Sequence, residues 1–156
     1  MAVGYKAQTT QARTAESVIQ FSIFTPNRLG HLNELITLFG TKGVHVLALT
    51  VLDTTDSSII RLVVDDPDAA RRLLEDGGFA YSESHLLVVE LESATELTDV
   101  ISALLETELN INYLYSFIPH PGGKSLLALS MEDNEMGEKV LKARQFRVLR
   151  QCDISR

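Results

Sequence analysis

The stretch Phe24-Thr25-Pro26-Asn27-Arg28-Leu29-Gly30-His31-Leu32-Asn33-Glu34-Leu35 changes its period within a few residues. Before it, Ile19, Phe21 and Ile23 alternate with Gln20 and Ser22, the pattern of a half-buried strand. After it, Leu32, Leu35, Ile36 and Phe39 fall at helical spacing, so one helix stripe faces the same core. Asn27 reads as an N-cap, and Gly30 leaves the backbone N–H groups of the first turn uncovered by any side chain. Such a helix start is a seat for a small anion such as a carboxylate. The alternative use of Gly30 is close packing of the helix on its strand.

Working outward, Met1 to Glu16 has no lasting periodicity and reads as a mobile leader, residues 1–16. A strand over Val18 to Phe24 leads through the turn into a helix over Leu29 to Thr41, ended by Lys42-Gly43. Val44 to Leu52 and Ile59 to Val64 form a hairpin around the turn formers Asp53 to Ser57. Asp66-Pro67-Asp68 starts a second helix, with Asp66 as cap and Pro67 at the first helical position, and Gly77-Gly78 stops it before a short strand, Phe79 to Ser84. The order β-α-β-β-α-β is that of the ferredoxin-like split βαβ unit.

The same order then repeats: strand Leu86 to Leu91, helix Ala94 to Thr107, hairpin Ile111 to Ile118 and Ser125 to Met131, helix Glu135 to Gln145, strand Arg147 to Cys152. A shift of about 65 residues places Leu32, Leu35, Ile36 and Phe39 on Leu97, Val100, Ile101 and Leu104. The predicted fold is therefore α+β, with two ferredoxin-like units in tandem, residues 17–84 and 85–156, each an antiparallel sheet with helices on one face. Ser84 to Leu86 leaves almost no linker, so the units should not tumble independently.

Composition narrows the function. The formal charge is −7, from 14 basic and 21 acidic residues, with no basic cluster, which argues against a nucleic-acid partner. No apolar run approaches the roughly 20 residues that span a bilayer, and the N-terminal segment lacks the apolar centre of a secretory signal. A cytoplasmic location and no membrane partner are expected. Cys152 is the sole cysteine, expected to be a partly buried small residue without a redox role. His31, His45, His85 and His120 lie in different elements, without metal-ligand spacing. No glycine-flanked nucleophile or phosphate loop appears, and Gly122-Gly123-Lys124 leads into a strand rather than a helix. Neither catalysis nor a cofactor or metal is expected.

A tandem βαββαβ repeat with Pro26-Asn27-Arg28-Leu29-Gly30-His31-Leu32 at its first strand–helix junction resembles the ACT domain family, and in particular its small stand-alone proteins made of two ACT repeats. Ile59 to Asp68 and Tyr113-Leu114-Tyr115-Ser116-Phe117 add to the resemblance, which runs from Val18 to Cys152. It implies a non-catalytic regulatory protein that binds a small molecule, usually a free amino acid, at interfaces between paired ACT units. It also implies a homodimer. With no catalytic domain attached, the regulated target would be a separate enzyme. The turn holding Asn27, Leu29 and Gly30 would form one lip of the pocket, and the strands containing Leu47 and Tyr113, Tyr115 and Ser116 the opposing wall.

The two helix starts differ. Where the first has Asn27, Arg28 and Gly30, the second has Ser93-Ala94-Thr95-Glu96, a capping-box pattern that supplies its own carboxylate. Asn27 to His31 is therefore expected to be the anion end of any site. Arg28 would add a charge-assisted hydrogen bond if it points inward, and a neutral His31 would accept from a ligand ammonium. Tyr113, Tyr115 and Phe117 share one strand face, read either as core between the units or as a ligand wall. The competing reading of the whole chain is an interaction or assembly module that takes no small ligand.

Overall fold

The computed structural model describes residues 16–26, 30–119 and 123–155. Its strands are β1 (Val18–Pro26), β2 (Val46–Asp53), β3 (Ser57–Val64), β4 (Ala80–Leu91), β5 (Ile111–Ser116), β6 (Ser125–Met131) and β7 (Arg147–Leu149). The helices are α1 (His31–Thr41), α2 (Pro67–Asp76), α3 (Glu96–Leu105), α4 (Asn134–Ala143) and the short α5 (Gln151–Ile154). All of this forms one antiparallel seven-stranded sheet in the order β2-β3-β1-β4-β6-β5, with β7 also paired to β4.

β4 organises this sheet. The short strand and the strand opening the second repeat, expected as separate elements, are one twelve-residue strand. Its residues Ala80 to Leu86 pair with β1, and Leu87 to Leu91 pair with β6. The expected boundary between residues 84 and 85 thus falls inside a strand, with no loop between the two repeats.

Because β4 is shared, its alternation serves three apolar clusters at once. Ile19, Phe21, Ile23, Ile60 and Leu62 pack under α1 and α2 with Leu35, Phe39 and Leu74. Leu87, Val89, Leu127 and Leu129 do the same under α3 and α4 with Val100, Leu104 and Leu141. The third cluster lies between the two halves of the sheet, where Val18, Ala48 and Val63 meet Val88, Tyr115, Phe117 and Ala128. Sheet inner faces are thus packed together and helices lie outside. The sheet curls until its edge strands touch: Ala48 bridges Phe117, and the Ile118 N–H donates to the Leu47 carbonyl at 2.8 Å.

Local chemistry follows the sequence at most element ends. Asp66 accepts from the Ala69 N–H with Pro67 behind it, and Asp133 accepts from the Met136 N–H. Four readings are corrected. Leu32 and its repeat partner Leu97 are 37% and 40% exposed, because each lies in the first turn of its helix and overhangs the sheet. The Ser93–Glu96 capping box does not form: the Ser93 hydroxyl bonds Thr95, while the Glu96 carboxylate accepts from the Glu92 N–H at 2.7 Å. The last strand ends at Leu149, and Cys152 stands exposed on α5. Finally, β1 is half-buried only toward its end: on its second face Val18 and Gln20 are both fully covered, while Phe24 is exposed.

Candidate functional site

The seam between the two units holds the features that point to binding. Gln20, fully buried on β1, faces β5 across the seam. The Tyr115 hydroxyl donates to Gln20 Oε1 at 2.6 Å, and Gln20 Nε2 donates to the Tyr113 hydroxyl at 2.7 Å and to Ser84 Oγ at 3.1 Å. Burial pushes the Tyr115 phenol well above its ordinary pKa, assisted by the neighbouring Tyr113 and opposed by Arg61. Tyr115 is therefore a fixed neutral donor. The aromatic stripe is core between the units at Tyr115 and Phe117, and its rim at Tyr113, which is partly buried.

One end of the seam is a cavity of about 470 Å³. Its floor is apolar: Leu47 from β2, Phe117 and Ile118 after β5, Leu126 from β6, Leu149 from β7 and Ile154 from α5. Glu90, Lys124, Arg147 and Asp153 stand around it. Arg147 lies between the two acids, 3.5 Å from Glu90 and 3.9 Å from Asp153, while Lys124 is held by Glu92 at 2.6 Å. An apolar basin edged by both signs of charge suits a small amphiphile carrying a carboxylate and an ammonium group.

The expected site residues divide into three groups. Leu47 and Ser116 both line the cavity. Tyr113 and Tyr115 lie further along the same seam, on Gln20. Gly30 and His31 are at the start of α1, beyond the end of β1 where Pro26 pairs with Ser57, whereas Leu47 is near the opposite end of β2. Within one chain, therefore, the helix start and the cavity are separate places. Asn27, Arg28 and Leu29 lie outside the described residues, as does His120.

At the helix start itself, Gly30 rather than the expected Asn27 is the N-cap residue of α1; it has φ +99°, no side-chain cap bond forms among the described residues, and a Cβ at this position would meet nothing within 4 Å. Left-handed backbone, rather than crowding, is what calls for glycine here. At the second helix start the Glu96 carboxylate folds back onto the Glu92 N–H. The two starts differ in the sense the sequence suggests, although by a different bonding pattern.

Sequence reasoning missed Gln20, Arg61, Glu90, Arg147 and Asp153. A polar residue alternating with apolar ones signals a solvent face, and nothing local shows that a second sheet covers it. Among the described residues no cluster of His, Cys, Asp and Glu could hold a metal ion, and no helix is long and apolar enough to cross a membrane.

Comparison with known proteins agrees with this architecture. No curated protein matches the sequence. Among solved structures, the chain is similar to protein BT0572 from Bacteroides thetaiotaomicron, at 25% identity and a TM-score of 0.79 over 88% of this chain and 94% of that one. It shares its fold with the regulatory subunit of aspartate kinase from Thermus thermophilus, solved ligand-free, at 16% identity and a TM-score of 0.58 over 83% and 91% of the two chains. The Thermus flavus counterpart is similar at 16% identity and a TM-score of 0.57, over 83% and 92%. A family defined as an ACT domain pair matches residues 16–156, which span both βαββαβ repeats and the strand that joins them, and the chain belongs to that family.

Proposed function

We propose that this chain is a non-catalytic regulatory protein that binds a free amino acid or a similar small zwitterion where ACT units meet. The observation that carries the reading is the seam cavity: an apolar basin of about 470 Å³ edged by Arg147 and Lys124, which a carboxylate would take from their present acidic partners, and by Glu90 and Asp153, which an ammonium would take from Arg147. The fold is shared with aspartate kinase regulatory subunits, which supports a regulated partner enzyme on a separate chain. Residues Asn27 to His31 remain the proposed anion end of a site completed by a second copy, because in one chain Gly30 and Leu47 are not brought together. Ligand binding would act by favouring one packing of these interfaces, which requires unequal affinity for two packings.

A thermal-shift screen of the twenty amino acids tests this. At least one should raise the melting temperature, because a ligand that binds only the native state must stabilise it. Leu47→Arg should abolish the shift by filling the basin with a charged side chain. Gly30→Val should also remove the shift while the fold survives, at a fold cost of about 1–2 kcal/mol for side-chain strain at positive φ. A flat screen with well-folded protein would instead identify an assembly module that takes no small ligand.

A further inference from the structure

Beyond the Ala48–Phe117 bridge, on the side away from the cavity, the inner face of β1, β2 and β3 passes from buried Ala48 and Val63 to exposed Phe24 and Leu52. Arg61 lies at the centre of that face, paired in register with Ser22 on β1 and Thr50 on β2. Its guanidinium carbon sits 4.0 Å from the centroid of the Tyr113 ring. Its Nε is buried and has no hydrogen-bond partner. Arg71, Arg144, Arg147 and Arg150 each rest on a carboxylate. Among the described residues no ion pair includes Arg61, although acidic residues outnumber basic ones, 21 to 14. Arg61 is therefore a half-buried guanidinium with no anion beside it among the described residues and one N–H without an acceptor.

The surroundings indicate what anion fits there. Ser22 and Thr50 flank Arg61 on the neighbouring strands, and stacking on Tyr113 fixes the guanidinium plane, so its terminal Nη groups, rather than the buried Nε, offer two N–H bonds to a carboxylate. Two residues further along each strand, on the same face by alternation, are Phe24, Ile59 and Leu52, with Phe24 and Leu52 45% and 48% exposed. Charge and apolar surface thus adjoin.

We propose that Arg61 anchors a second binding site, on the open inner face of the first unit's sheet, for a small monocarboxylate with a branched or aromatic apolar body. The carboxylate bonds the Arg61 guanidinium beside Ser22 and Thr50, and the apolar body lies on Phe24, Ile59 and Leu52. The site is separate from the seam cavity and stands whether or not an amino acid binds there.

The test follows the Arg61 Nε–Hε resonance and, in the parent and every variant, the backbone amide resonances of Ser22, Thr50 and Ile59 in full-length protein during titration with sodium 3-methylbutanoate. Sodium acetate, 3-methylbutanamide, inorganic phosphate and sodium chloride at matched ionic strength serve as comparators. A saturable shift is expected with 3-methylbutanoate, a weaker one with acetate, and none with the amide. Arg61→Gln should weaken binding by about ten- to a hundredfold, as expected for loss of hydrogen bonds to a charged group. Phe24→Ser should reduce 3-methylbutanoate to the level of acetate, and Leu47→Arg should leave the titration unchanged. Unmoved resonances, equal shifts with chloride or phosphate, or binding that survives Arg61→Gln would each overturn the proposal. If Arg61→Gln does not fold, the titration of the parent protein with its amide comparator still decides.

Discussion

Gln20→Leu is expected to destabilise the chain by about 2 kcal/mol, and adding Tyr115→Phe is expected to return much of that loss. Leucine nearly matches the volume of glutamine, so the packing of the seam changes little. What changes is that the Tyr115 hydroxyl, which donates to Gln20 Oε1 from a residue 8% exposed, has nowhere to turn. A buried donor stripped of its acceptor costs about 1–3 kcal/mol, whereas removing donor and acceptor together can be close to neutral. Tyr113 and Ser84 contribute less, because both reach water when Gln20 Nε2 is lost. A double-mutant cycle measured by urea unfolding should therefore give a coupling energy of about 1–2 kcal/mol. Purely additive costs would mean that the hydrogen bond across the seam contributes nothing. Alkaline titration supplies an independent check. Burial raises the folded-state pKa of Tyr115, so its contribution is complete below the unfolded value near 10 and is lost as pH rises through the folded value. Tyr115→Phe should flatten that alkaline decline.

This seam also marks where reading the sequence stops being local. The alternation Ile19, Phe21, Ile23 correctly identifies the face of β1 under α1 and α2, because core packing repeats every second residue. It assigns Gln20 to solvent for the same reason, and its cover comes from Tyr113 and Tyr115, more than ninety positions away. The continuity of β4 was hidden in the same way. By sequence one strand ends at Ser84 and the next begins at Leu86, yet Ser84 and His85 pair with Gln20 and Ile19 of β1 without a break, and their side chains are exposed. Pairing to a neighbouring strand outweighs intrinsic preference there. Leu47 and Ser116 were expected at a site wall through the family resemblance alone, and both line the cavity because the edge strands β2 and β5 meet there. Glu90, Arg147 and Asp153 were not anticipated around it, since only the pairing of β7 with β4 and the turn of α5 bring them to one cavity.

The shared strand leads to the larger expected effect. Leu35→Ala removes a fully buried side chain from the cluster under α1 and α2, at a cost of about 2–5 kcal/mol. A domain of this size is stable by about 5–15 kcal/mol, so the change is a substantial fraction of the whole. Leu35 touches only the first repeat's core, yet its loss is expected to be felt equally in the second. Val18 and Val63, which share strands with the Leu35 cluster, are packed on Val88 and Ala128. The chain's end closes the same circuit: Gln151 on α5 accepts from the Ile19 N–H at 3.0 Å and donates to the Val64 carbonyl at 3.2 Å. Hydrogen exchange at Leu127 and Leu129 on β6 should therefore accelerate with exchange at Phe21 and Leu62, and denaturation should remain a single transition at lower denaturant. Two transitions, with the β6 amides as protected as in the parent, would show that the repeats unfold independently despite β4. The distinction bears directly on regulation. A ligand held between the repeats can alter a distant surface only if strain at one unit is resisted by the other, and a single unbroken strand with apolar clusters on both faces supplies that resistance.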